Sequence, residues 1–133
     1  MKKNYQEYKT IQQIAEELGI KPELPFDVSM LEKEQQNYLN ACYWLPIITK
    51  FFNEGKPFDY RRGNNQPKWF TWPDVEASDE LPSGFGLSSP AASCDGEDSY
   101  VGSRLCFLNN DHRAHCWKHF ADLFLHWHLI INK

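Results

Sequence analysis

Residues 100–133, YVGSRLCFLNNDHRAHCWKHFADLFLHWHLIINK, constrain the fold most, because they set a strand-like pattern directly before a long amphipathic helix. In the first part, period-2 spacing places Val101, Ser103, Leu105 and Phe107 on one face and Tyr100, Gly102, Arg104 and Cys106 on the other. Asn110 or Asp111 is the expected N-cap of the helix. At about 100° per residue, Cys116, Phe120, Leu123, Phe124, Trp127 and Ile131 fall on one broad apolar face. His112, His115, His119, Asp122 and His126 form a polar stripe on the opposite side, expected to be mostly solvated.

The N-terminal half reads as helical. Ile11, Ile14, Ala15 and Leu18 make one apolar stripe, with a Thr10–Gln13 capping box and Gly19 placed for a left-handed C-terminal cap. IQQIAEELGI resembles the first helix of a helix-turn-helix, but the two prolines of KPELPFDV stand where a recognition helix should begin. A second helix is expected to open with a Ser29–Glu32 capping box and to stop at Gly55. Its apolar face takes Leu31, Tyr38, Ala41, Cys42, Leu45, Ile48 and Phe52, and Pro46 predicts a kink or a break.

Beyond Gly55 the chain turns rich in Pro, Asn, Gly and Asp. KWFTW alternates and is expected to be a strand over 68–72, closed by Pro73 at a sheet edge. GFGLS predicts a second strand over 84–88, and 100–107 the third. The expected architecture is therefore one α+β domain, residues 1–133. Helices from 1–55 and a C-terminal helix would pack on a small antiparallel sheet of about three strands within 56–133.

Composition narrows the function. With 41% apolar and 24% charged residues over 133 positions, the chain is globular and long enough to bury a core. A net charge of −4 and no basic run beyond Arg61 and Arg62 disfavour duplex DNA as a partner. The start, MKKNYQEYKT, has no apolar stretch behind its lysines, and no run approaches the ~20 apolar residues of a membrane span. Cys42, Cys94, Cys106 and Cys116 lie far apart without a C-x-x-C, so reduced thiols in a cytoplasmic protein are expected.

No phosphate-binding glycine loop or nucleophile elbow stands in the sequence, so no catalytic residue or cofactor is assigned. Trp69, Phe70 and Trp72 could form a contact platform at the sheet edge; Arg104 is expected to take a structural salt bridge with Asp95, Glu97 or Asp98, with anion binding as its alternative role. The leading expectation is a non-catalytic protein-interaction module binding an unidentified host or phage protein through that aromatic edge. Two alternatives stand beside it. His112, His115 and His119 with a cysteine could hold a metal ion, although no H-E-x-x-H accompanies them. The aromatics with Arg61 and Arg62 could bind a single-stranded nucleic acid. Oligomeric state is left open.

LPFDVSMLEKEQ, FNEGKPFDY, KWFTW, SGFGLS and YVGSRLCF, followed by the amphipathic helix, resemble a group of small proteins of unknown function carried by phages and other mobile elements of gut bacteria. The resemblance covers roughly residue 24 to the C-terminus, and VGSRLCF is its most specific part. It implies an accessory, non-catalytic protein. Pro46 departs from the group's second helix, and the histidines stand where its last helix usually carries Lys, Gln, Ala or Gly.

Overall fold

A computed structural model of the protein describes residues 1–58, 68–71 and 103–128. Among these residues the fold is helical: α1 (Ile11–Leu18), α2 (Lys33–Phe52) and α3 (Asn110–His128), with short 3-10 turns at Tyr5–Glu7 and Ser103–Leu105. Helices α3 and α1 both pack on α2.

Local chemistry explains α1. Thr10 Oγ1 accepts from the Gln13 N–H while Gln13 Oε1 accepts from the Thr10 N–H, the expected capping box. At the other end Gly19 adopts φ +71°, and the N–H groups of Gly19 and Ile20 close on Glu16 and Ala15. That is a Schellman stop.

Helix α2 differs from its sequence reading at both ends. Ser29 does not cap it. Its N–H donates to Asp27 Oδ1 at 2.9 Å, and the helix opens at Lys33 after Glu32, without a side-chain cap. Pro46 lies inside a continuous helix rather than at a break. At the C-terminal end Glu54 (φ +56°) and Gly55 (φ +73°) are both left-handed. The N–H groups of Asn53, Glu54 and Gly55 cap the carbonyls of Thr49, Phe51 and Lys50. The Phe52 carbonyl lies 3.0 Å from His112 Nδ1, so an imidazole from α3 completes this cap.

The buried stripe of α2 runs Ala41, Trp44, Leu45, Ile48, Thr49, Phe51 and Phe52; the expected Leu31 and Tyr38 are exposed. Cys116, Phe120, Leu123 and Phe124 of α3 meet it, together with Tyr8, Ile14, Ala15, Leu105 and Phe107. Trp44, Phe52, Phe107 and Phe124 are almost wholly buried. Each contributes roughly 2–3 kcal/mol of apolar burial. Helix α3 kinks at Phe120, where φ/ψ is −124°/27°. It starts from a different cap than expected: Asn109 Oδ1 accepts from the N–H groups of Asp111 and His112.

The expected α+β architecture is overturned: no strand or sheet is present among the described residues. Segment 103–105 is a 3-10 turn, and 68–71 joins 103–108 through a single antiparallel bridge, Trp69 with Phe107. Leu105, Cys106 and Phe107 are all buried, so the period-2 alternation does not hold. The second expected strand, 84–88, lies outside the described residues, as do Tyr100, Val101, Gly102 and Ile131.

Candidate functional site

The C-terminal end of α2 is where the described segments converge. Asn53, 8% exposed, donates from Nδ2 to the Cys106 carbonyl at 3.0 Å and accepts at Oδ1 from the Leu108 N–H at 2.9 Å. On its other edge, Phe107 exchanges both backbone hydrogen bonds with Trp69. Segment 106–108 is thus paired on two sides, and one partner is a side-chain amide acting as a short length of strand. This clamp fixes the backbone beside Arg104.

The residues expected at an aromatic edge separate. Trp69 is half-buried and packs against the main core. Phe70 is buried in a smaller cluster with Phe58 and Cys106. Trp72, Arg61, Arg62, Cys94, Asp95, Glu97 and Asp98 lie outside the described residues. Arg104 is exposed and lines a cleft of about 450 Å³ with Lys50, Lys56, Phe58 and the polar groups of Thr49 and Asn53. The Thr49 hydroxyl donates to Leu45 and one Asn53 N–H goes to the clamp, so the charged donors of the cleft are Lys50, Lys56 and Arg104. Lys56 approaches Glu54 at 3.6 Å, but both side chains are solvated and such a pair holds little.

A second depression adjoins the cleft and shares Lys50 and Gly55 with it. This groove of about 540 Å³ lies between the end of α1 and the second half of α2. Its apolar lining includes Leu18 (44% exposed), Ile20 (39%) and Met1 (37%), with Ile47 and Phe51; Glu17, Lys50 and Glu54 also line it. Leu18 belongs to the apolar stripe of α1, yet only the Ile14 and Ala15 part of that stripe is buried. Ile20 reaches the surface because the Gly19 turn redirects the chain. The stripe was readable from sequence; which end of it stays uncovered was not.

The histidines are not a bare solvated stripe. His115 Nε2 lies 2.6 Å from the Tyr8 carbonyl and His112 Nδ1 meets the Phe52 carbonyl. A carbonyl only accepts, so each of these nitrogens carries a proton. Tyr5 packs against both rings, tilted against His112 at a centroid distance of 4.5 Å and edge-on to His115 at 5.4 Å. Burial pulls His112 below its ordinary value, opposed by the Phe52 carbonyl, Glu54 and Asp111. Burial also pulls His119 down, helped by His115, Lys118 and Lys9. Among the described residues no three His, Cys, Asp or Glu side chains are grouped to hold a metal ion.

Cys42 and Cys116 are free thiols, and burial pushes Cys116 well above its ordinary value. Among the described residues no helix is long and apolar enough to cross a membrane. Compared with family models, with curated proteins and with solved structures, the chain matches none.

Proposed function

We propose that this chain is a small, non-catalytic, cytoplasmic accessory protein of a phage or mobile element. It acts by binding a host or phage protein, whose acidic amphipathic helix lies across the end of α2. The observation that carries this reading is the continuity of an apolar groove with a basic cleft through Lys50 and Gly55. An apolar side chain of the partner enters between Leu18, Ile20 and Ile47, and its carboxylates reach Lys50, Lys56 and Arg104. Helix-in-groove recognition divides its work this way: apolar anchors supply affinity, while charge supplies orientation and rate. The mobile-element origin is supported by the VGSRLCF resemblance, and the cytoplasmic placement by the free thiols.

The contact surface differs from the aromatic edge expected from sequence, because Phe70 is buried and Trp69 is packed against the core. Pull-downs from host lysate would compare wild type with Leu18→Asp/Ile20→Asp, with Lys50→Glu/Arg104→Glu and with Trp69→Ala, all checked for folding by circular dichroism. The first two variants should lose the same partner, and raised salt should weaken its capture by wild type. Recovery of the same partners by both variants would refute the proposal. Loss with Trp69→Ala alone would return the contact to the aromatic segment.

A further inference from the structure

A pocket of about 440 Å³ lies between the N-terminal segment and the first turns of α3, away from the groove and cleft. Lys9 and Lys118 flank it, and Asp111 is the one carboxylate that lines it. Among the described residues neither lysine has an ion-pair partner. His115 and His119 sit side by side in the lining, ring centroids 4.5 Å apart. Gln6 Nε2 approaches the Tyr5 hydroxyl as a donor at 3.4 Å, which leaves the Tyr5 proton available to an acceptor. Two exposed lysines, two imidazoles and neutral donors thus line a pocket to which the protein supplies a single carboxylate.

We propose that this pocket binds a small phosphate-type dianion, with Lys9 and Lys118 supplying charge and Tyr5, Gln6 and His119 supplying hydrogen bonds. The lysines repel a divalent cation from the same place, so this reading competes directly with a histidine metal site. The pocket is wider than a bare phosphate requires and has room for the organic part of a monoester. His115 gives its Nε2–H to the Tyr8 carbonyl and serves to hold Tyr5, whose ring lies tilted against His112 and edge-on to His115.

The depressed His119 supports the assignment. After burial, the causes are His115, Lys118 and Lys9, which together mark a positive local potential. A bound dianion reverses that potential, so binding is coupled to proton uptake at His119. The other charged groups about the site are Asp111 and His112 on α3, and Glu54 at the end of α2, which acts on His112.

The test uses the full chain and follows the His119 C2–H resonance by NMR, assigned with His119→Gln. Chloride is replaced by sulfate at constant ionic strength, because sulfate stays dianionic across the histidine range. The His119 midpoint should rise saturably by about one pH unit. The rise should vanish in the Lys9→Ala/Lys118→Ala variant, whose amide spectrum reports that it is folded. Inorganic phosphate and glycerol 3-phosphate are then compared: equal binding identifies the free ion as ligand, and tighter binding of the ester identifies a phosphomonoester. A midpoint unmoved by sulfate, or moved equally in the double variant, overturns the proposal.

Discussion

Replacing Asn53 by alanine removes two hydrogen bonds that it makes to the backbone of 106–108. The Cys106 residue is fully buried, so its carbonyl has no water to turn to, whereas Leu108 is half-buried and its N–H is partly relieved. A net bond contributes roughly 1 kcal/mol, and a stranded buried group costs roughly 1–3 kcal/mol. The expected loss is therefore about 2–4 kcal/mol, read as a lower urea midpoint at unchanged slope. Asn53→Asp sharpens the test. It keeps the acceptor for the Leu108 N–H but sets a carboxylate oxygen against the Cys106 carbonyl, so the protonated acid is favoured in the folded state. A carboxyl raised on folding contributes stability that is lost as pH rises above its unfolded value. The aspartate variant should thus be weak at pH 7 and recover relative to wild type toward pH 4. If Asn53→Ala costs under about 0.5 kcal/mol, packing of Phe107 alone holds this segment and the clamp argument fails.

Two other consequences are measurable. Glu54 occupies a left-handed position that glycine adopts without penalty, so Glu54→Gly should raise the urea-derived stability by roughly 0.5–1 kcal/mol after the unfolded-state entropy is deducted. Gly55→Ala, also at positive φ, should lower it. His112 and His119 both titrate below their ordinary value of 6.5, so the folded state binds fewer protons than the unfolded. Stability is then full above about pH 6.5 and declines as pH falls through that value toward the folded midpoints. Urea midpoints across pH 5 to 8 should show this slope, and His112→Gln/His119→Gln should flatten it.

The helices were legible because their signals are local. Thr10, Gln13 and Gly19 mark α1 within its own turns, and the spacing of Cys116, Phe120, Leu123 and Phe124 finds the buried face of α3. The sheet was misread because alternation predicts a strand only where one face meets solvent. Here Cys106 is covered by Phe58 and Phe70 while Leu105 and Phe107 enter the main core, so both sides of 105–107 are buried. The neighbour that replaces a second strand is the side chain of Asn53, and a single asparagine many residues away carries no sequence signature. Ser29 and Glu32 matched a capping box, but the nearer Asp27 takes the Ser29 N–H. The histidine spacing gave the helix face correctly, though not the carbonyls of Tyr8 and Phe52 that come to meet it. Of the expected contact residues, Arg104 lines a cleft, while Lys50, Lys56, Leu18 and Ile20 become neighbours only once α1 and α2 are packed.

The bond between His115 and the Tyr8 carbonyl also orders events in time. It joins residues 107 apart in the chain. Closing a loop of that length costs about 4 kcal/mol of chain entropy, which one hydrogen bond does not recover. Once the α2–α3 core has formed, most of that closure is already made, so the N-terminal strip is expected to dock after it. Such distant closures make this helical protein a slower folder than its secondary structure alone would suggest. They also make the strip around Tyr5 and Tyr8 the last part to arrive and the first to exchange its amide hydrogens.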